Sequence, residues 1–207
     1  MINGIKVKEI LNKIDFVLAE NKLFLSELDA AIGDGDHGLN MNKGFNAVVE
    51  KIKTLPDEDI SNIIKASGMA LVSNVGGAAG PLYGTAFMKA SMAIAKKTEI
   101  DINDFINMLE AALEGIKMRG KGVFGEKTMI DSLEPAFIEG KKALEKNSEA
   151  KEVLNIIKNS AENGMNETKK IIATKGRASY LGERSIGHQD AGSTSMYLIL
   201  KTIAEEI

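Results

Sequence analysis

The 207-residue sequence contains no cysteine, no tryptophan and only three prolines. Without cysteine, the chain has no disulfide framework, no thiolate metal site and no cysteine nucleophile, which fits a reducing cytoplasm. Proline is scarce while Ala, Leu, Ile, Met, Lys and Glu are abundant, and this composition favours helices. We therefore expect a helical protein whose chemistry rests on carboxylates, backbone amides and basic side chains.

Two further absences limit the partners. The net charge of −3 lacks the basic excess that binding to a phosphate backbone requires. No apolar run approaches the roughly 20 residues that span a bilayer. The N-terminal "MINGIKVKEILNKIDF" is charged and amphipathic, without the apolar core of a signal peptide. We expect one cytoplasmic domain over 1–207 that contacts neither nucleic acid nor membrane.

Apolar residues recur at helical spacing along most of the chain, as in the stripe Ile10, Leu11, Ile14, Leu18. No convincing strand alternation is present. The pattern predicts eight helices near 5–24, 39–53, 59–74, 84–97, 103–118, 127–146, 149–173 and 191–206.

The connections between these helices are of two kinds, and the two kinds alternate. Three are short and polar: 54–58, 98–102 and 147–148. Four are glycine-rich and hold 14 of the 20 glycines: 25–38, 75–84, 119–126 and 174–192. In an up-and-down helical bundle, alternate connections lie at the same end. The four glycine-rich segments should therefore converge into one composite site.

The first glycine-rich segment concentrates acidic residues in "AIGDGDHGLN" (31–40). Gly33 and Gly35 would let the backbone turn so that Asp29, Asp34 and Asp36 aim at a common point. Such carboxylates suit Mg²⁺, which completes its shell with phosphate and water. The alternative is an Asx-rich turn that caps the next helix.

The second and third segments offer contacts for a nucleotide. The amides of 77–79, close to a helix start, could hold phosphate oxygens, although helix packing also explains small residues there. Gly120 and Thr128 could touch a nucleotide while Met129 lines an apolar base pocket; alternatively, Thr128 is only a helix cap. His37 could bond a phosphate or orient a carboxylate.

The fourth segment brings positive charge to this end through Lys175, Arg177 and Arg184. Arg177 could stabilise a transferring phosphoryl group, or it could form a surface salt bridge to the first segment. Asp190 could cap the last helix or touch the ligand. Together, an acidic segment, an amide-rich segment and a basic segment predict a site for a magnesium–nucleotide complex.

Four motifs in order resemble the nucleotide-binding L subunit of dihydroxyacetone kinase: "LDAAIGDGDHGLNMNKGF", "GGAAGPLYGTAF", "RGKGVFGEKTM" and "KGRASYLGERSIGHQDAGSTS". The resemblance runs from about residue 25 to the C-terminus. It implies an all-α fold: an eight-helix antiparallel up-and-down barrel with ADP or ATP and two Mg²⁺ ions at one end.

By position, the resemblance makes Asp29, Asp34 and Asp36 the magnesium ligands and Arg177 the catalytic residue. It implies nucleotide contacts at His37, Gly38, Leu39, Asn40, Ala78, Ala79, Gly120, Thr128, Met129, Arg177, Asp190, Ala191 and Gly192. Two positions depart from the family pattern, which often has serine at Ala79 and proline at Ala191.

The resemblance also implies partners. The chain has no candidate covalent substrate site outside the nucleotide segments, which points to the split bacterial system. There, a K subunit binds dihydroxyacetone, and a phosphotransferase-system M subunit rephosphorylates the bound ADP. A homodimer is left open. The alternatives are the nucleotide module of another kinase, such as a fatty-acid kinase, and a nucleotide-sensing regulatory module.

Overall fold

A computed structural model describes all residues from Met1 to Ile207. It is mainly helical with a single pair of two-residue strands, which confirms the all-α prediction. The α-helices are α1 (Gly4–Glu20), α2 (Lys22–Ile32), α3 (His37–Ile52), α4 (Ile60–Asn74), α5 (Ala79–Ala93), α6 (Ile102–Gly120), α7 (Ile130–Glu145), α8 (Ala150–Glu167) and α9 (Ala191–Glu206). Two 3₁₀ segments, Thr168–Lys170 and Arg177–Ser185, lie between α8 and α9.

Short polar side chains begin several helices by accepting hydrogen bonds from first-turn amides. Asp59 accepts from the amide of Asn62 at 2.9 Å to cap α4. Asp101 and Asp104 form a reciprocal capping box at the start of α6. These caps satisfy amides that have no partner inside their own helix.

Helix contacts follow a closed ring. Helix α1 packs against α3 on one side and α9 on the other, and α3 to α9 contact one another in chain order. Buried side chains from these helices form one core cluster. None of the helices combines the length and apolar character needed to cross a bilayer.

The first predicted helix and the first predicted loop both differ from the structure. Helix α1 ends at Glu20, and the chain returns to a helix at Lys22, where the amide of Leu25 donates to the carbonyl of Asn21 at 2.9 Å. Leu25 and Ile32 are buried, so core packing keeps this stretch helical despite its glycine-rich end. The predicted loop 25–38 therefore shrinks to residues 33–36.

Two smaller differences follow from local chemistry. Helix α5 begins at Ala79, five residues before the prediction, because Pro81 is tolerated in a first turn where its missing N–H is not needed. A two-residue antiparallel pair joins Ile2–Asn3 to Glu99–Ile100. Strands this short carry no alternation that a sequence pattern could reveal.

Glycine allows α7 and α8 to approach closely. A Cβ atom on Gly164 would collide with the backbone carbonyl of Asp131, whereas one on Gly115 would meet mainly the flexible side chain of Lys89. We expect Gly164→Ala to lower the free energy of unfolding by about 1–3 kcal/mol, the usual cost of overpacking. Gly115→Ala should cost less than Gly164→Ala, because only side-chain atoms of Lys89 and Thr85 must shift and alanine favours the helix by about 1 kcal/mol.

Urea denaturation of both variants measures this difference. Equal unfolding free energies for the two alanine variants would contradict the close approach at Gly164.

Candidate functional site

The four glycine-rich segments meet at one end of the helical ring, as predicted. Arg177 Nη2 lies 2.9 Å from Asp34 Oδ2, which joins the fourth segment to the first. Ser195 Oγ, one turn into α9, lies 2.8 Å from both His37 Nε2 and the Tyr83 hydroxyl. These contacts add the second segment to the group.

The third segment joins the group through its contacts with the fourth segment. The amide of Thr174 donates to the carbonyl of Glu126 at 3.3 Å. Lys175 Nζ lies 3.8 Å from a carboxylate oxygen of the same glutamate, so this lysine pairs locally instead of facing the aspartates.

Three carboxylates form the acidic part of the site. Ligand oxygens of Asp29, Asp34 and Asp36 all lie within 4.8 Å of one another. Asp29 comes from α2, not from a loop, and its Oδ2 accepts hydrogen bonds from the amides of Asp36 at 3.0 Å and His37 at 3.2 Å. Gly35, at φ +76°, supplies the turn that brings the other two carboxylates beside it.

This donor set fits a hard divalent cation. All three groups are carboxylates, which are ligands that Mg²⁺ prefers. Asp34 and Asp36 are exposed, which leaves room for water and phosphate oxygens in the same coordination shell. The structure thus brings the predicted metal ligands together, and their ligand role stays a prediction.

The second segment presents a helix start to the site. Gly77 lies at φ +63°, and α5 begins two residues later without a side-chain cap. The first amides of α5 therefore lack partners within the helix, as the predicted phosphate contacts at Ala78 and Ala79 require. A Cβ on Gly76 would lie 3.0 Å from Asn40 Oδ1, so this segment packs closely on α3.

The third segment is shaped by Asp131, which the sequence analysis did not identify. Its carboxylate accepts hydrogen bonds from the amides of Gly125 and Thr128, both at 2.6 Å. The Thr128 hydroxyl accepts from the amide of Ile130 at 3.2 Å just before the N-cap of α7, which is Met129, and its nucleotide contact stays a prediction. Met129 is 5% exposed, which is consistent with an apolar wall.

Lys127 was also missed, and it is the least expected residue of the site. Its side chain is buried, and Nζ donates to the carbonyls of Thr168 at 2.6 Å, Ser185 at 2.7 Å and Ile171 at 3.3 Å. It therefore ties the third segment to both ends of the segment that carries Arg177. Only an ordinary Lys in "GEKTM" is visible in the sequence, so no pattern could have identified it.

The start of α9 completes the site. Asp190 Oδ2 accepts from the amide of Ser193 at 2.6 Å, so Asp190 caps the helix, one of its two predicted roles. Burial raises the pKa of Asp190 to about 7. Burial also lowers the pKa of His37, so its imidazole is neutral at physiological pH. Gly192 lies beside Met129, since a Cβ at Gly192 would be 3.6 Å from the Met129 amide.

Gly120, Leu39 and Ala191 also lie at this end. Gly120 ends α6 against Leu82, Leu39 is exposed in the first turn of α3, and Ala191 is buried at the start of α9. An apolar cavity between the helices shares Tyr83 with the site, but its other lining residues are apolar except for Asp101. That cavity has no groups that could hold phosphates.

The family model for the DAK2 domain matches residues 31–205 of this chain. The chain belongs to the DAK2 domain family. This DAK2 domain is 45% identical over 195 residues to the ADP-binding subunit DhaL of PEP-dependent dihydroxyacetone kinase 1 from Listeria innocua. That alignment covers 94% of this chain and 92% of the relative. The predicted resemblance to the L subunit is confirmed.

A second relative supports the same family, and a solved structure shares the fold. The ADP-binding subunit DhaL of Escherichia coli PEP-dependent dihydroxyacetone kinase is 41% identical over 194 residues, which covers 94% of this chain and 92% of that subunit. The dihydroxyacetone kinase of C. freundii in complex with AMP-PNP and Mg²⁺ matches all of this DAK2 domain with a TM-score of 0.73 at 24% identity. The domain spans 34% of that kinase chain, and the likeness establishes the fold.

We predict that Lys127→Met loosens the segment that carries Arg177. The substitution leaves the carbonyls of Thr168 and Ser185 without their donor, and hydrogen bonds to charged groups contribute about 1.5–3 kcal/mol each. We expect the free energy of unfolding to fall by about 3 kcal/mol, with faster proteolysis within 171–185. The exposed Lys151→Met is the control, and equal stability of the two variants would contradict the role of Lys127.

Asp190 generates a pH prediction. Its raised pKa means that the folded protein keeps a proton that the unfolded chain, at an ordinary aspartate pKa of 3.8, has released. The stabilisation that this bound proton contributes is fully present below about pH 4 and is lost as the pH rises through about 7. Asp190→Asn keeps the helix cap and does not titrate.

The unfolding free energy of the wild type, minus that of Asp190→Asn, should therefore decrease as the pH rises from 4 to 8. The slope should reach at most about 1.4 kcal/mol per pH unit. Urea denaturation in EDTA measures it, and a constant difference across this range would refute the raised pKa.

Proposed function

We propose that this chain is the ADP-binding subunit of a PEP-dependent dihydroxyacetone kinase. In this proposal it accepts a phosphoryl group from a phosphotransferase-system M subunit and passes it to dihydroxyacetone held by a separate K subunit. One observation carries the proposal: three clustered carboxylates contact an arginine and lie at the same end of the molecule as an uncapped helix start. The names of the relatives, which are PEP-dependent ADP-binding subunits, support the substrate and the donor.

The acidic cluster would hold two Mg²⁺ ions, with Asp29, Asp34 and Asp36 as protein ligands. When bound, Mg²⁺ would offset the negative charge of the phosphates. Asp29 would bind the metal through Oδ1, because Oδ2 already accepts two backbone amides. This arrangement fixes the carboxylate of Asp29 before any ligand arrives, which reduces the cost of ordering the site.

The amides at the start of α5 and the Met129 side chain would bind opposite ends of the nucleotide. The free N–H groups of Ala78 and Ala79 suit phosphate oxygens. Met129 lies beside Gly192, where an apolar base could pack without competing for the carboxylates. The absence of a serine hydroxyl at Ala79 leaves these backbone amides as the donors.

Arg177 would act on the transferring phosphoryl group. Its side chain is 70% exposed, so the ion pair with Asp34 is weak and readily exchanged for a phosphate. The planar guanidinium can then donate two parallel hydrogen bonds to phosphoryl oxygens and stabilise charge during transfer. Lys127 would keep this arginine near the carboxylates by anchoring its segment.

We predict that Asp34→Asn and Asp36→Asn each weaken ADP binding in Mg²⁺ by roughly 100-fold or more, because even outer-shell changes cost 10–100-fold in metal affinity. Asp36 makes no ion pair with Arg177. A loss of affinity in Asp36→Asn therefore cannot be attributed to the loss of that ion pair. Calorimetry with ADP and MgCl₂ measures the affinities. Glu50→Gln, a change to an exposed glutamate at the far end of α3, should bind like the wild type.

Mass analysis of the gently purified protein tests retention of ADP. Reconstitution with K and M subunits, followed by assay of dihydroxyacetone phosphate formed from phosphoenolpyruvate, tests the transfer. Fast exchange of ATP and ADP without turnover would instead indicate a nucleotide sensor. Wild-type affinity in both aspartate variants would refute the proposed metal site.

A further inference from the structure

A buried chain of hydrogen-bonding side chains lies behind the acidic cluster. Tyr83 from α5 and Ser195 from α9 are fully buried, and the Tyr83 hydroxyl lies 2.8 Å from Ser195 Oγ. Ser195 Oγ lies 2.8 Å from Nε2 of His37 at the start of α3. Both hydroxyls also reach the carbonyl of Gly192, at 3.2 Å from Tyr83 and 3.0 Å from Ser195. This hydrogen-bonded chain of Tyr83, Ser195 and His37 therefore links three of the four site segments.

The protons of this hydrogen-bonded chain of side chains can be arranged in two ways. In one, Tyr83 donates to Ser195, Ser195 donates to His37 Nε2, and the imidazole proton resides on Nδ1. In the other, Nε2–H donates to Ser195, whose own proton goes to the Gly192 carbonyl, and Nδ1 is a bare acceptor. Each hydroxyl has one proton, so the two arrangements exclude each other.

The surroundings of the ring favour the first arrangement. Nε2 is engaged by Ser195, which leaves Nδ1 as the ring nitrogen free to meet a ligand. The amide of His37 bonds the Asp29 carboxylate, and Asp36 is the adjacent residue, so the ring lies in negative surroundings. A bare lone pair on Nδ1 would be repelled by these carboxylates and by an anionic ligand, whereas an N–H group would be attracted.

We propose that Tyr83 and Ser195 are positioning residues that hold His37 in the neutral tautomer with its proton on Nδ1. The ring then donates a hydrogen bond to a phosphate oxygen of the ligand. The identity of that ligand as ADP rests on the proposed function, whereas the tautomer itself does not. Tyr83 and Ser195, which are buried behind the site, would then determine whether Nδ1 of His37 is a donor or an acceptor.

Nitrogen-15 NMR of the full-length protein tests the tautomer directly. The chain has two histidines, so His188→Asn assigns the signals. At pH 8, above the ordinary histidine pKa, we expect His37 to show the Nδ1–H pattern in the presence of EDTA. Addition of ADP and MgCl₂ should retain this pattern and shift the Nδ1 resonance. An Nε2–H pattern, or a doubly protonated ring, would overturn the proposal.

Two variants test which residues impose the tautomer. Ser195→Ala should introduce the Nε2–H signal and weaken ADP binding about tenfold, since one net hydrogen bond is worth about that factor. Tyr83→Phe should produce a mixture, because Ser195 then shares its only proton between Gly192 and His37. Ser67→Ala, at another fully buried serine, and Tyr197→Phe should leave the tautomer unchanged.

The outcomes separate this inference from the proposed function. If Ser195→Ala folds and keeps a pure Nδ1–H pattern, Ser195 does not position the ring and the proposal fails. If Ser195→Ala does not fold, the Tyr83→Phe spectrum decides in the same way. If the wild type shows the Nδ1–H tautomer but binds no ADP, the positioning role is supported and the proposed function is refuted.

Discussion

Repulsion among three carboxylates is the constraint around which this end of the molecule is arranged. Asp29, Asp34 and Asp36 keep their ligand oxygens within 4.8 Å of one another, a separation that costs free energy unless positive groups lie nearby. The amides of Asp36 and His37 contact Asp29, and Arg177 contacts Asp34. These contacts hold negative charge in place at a site that a divalent cation would neutralise further.

The helical ring supplies this support by its topology. Helices α3, α5, α7 and α9 all begin within or just after a glycine-rich segment, so their first-turn amides gather at one end. In such an alternating arrangement, the C-termini of the other helices lie at the same end. The dipoles of the two sets of helices therefore largely cancel there. The local free N–H groups remain, and they are what anionic ligands contact.

A second layer of buried polar residues sets the positions of the groups that face solvent. Lys127 anchors the segment of Arg177, and Asp131 shapes the third loop. Ser195, which is hydrogen-bonded to Tyr83, contacts His37. Each lies behind the site and satisfies its hydrogen bonds with backbone or side-chain partners, as burial requires. Rigid support of this kind keeps a loop-based site organised without a sheet or a disulfide.

The sequence alone determined the helical class, the alternation of plain and glycine-rich connections, and the clustering of Asp34 and Asp36, because these depend on composition, periodicity and short-range spacing. The convergence of the segments also followed from that alternation. Only the tertiary structure decided that Asp29 lies on a helix, since burial of Leu25 and Ile32 outweighed the nearby glycines. It also decided the roles of Lys127 and Ser195, whose side chains contact residues as far as 58 and 158 positions away in the sequence. A side chain with no local pattern acquires its function only from the distant groups that the fold places beside it.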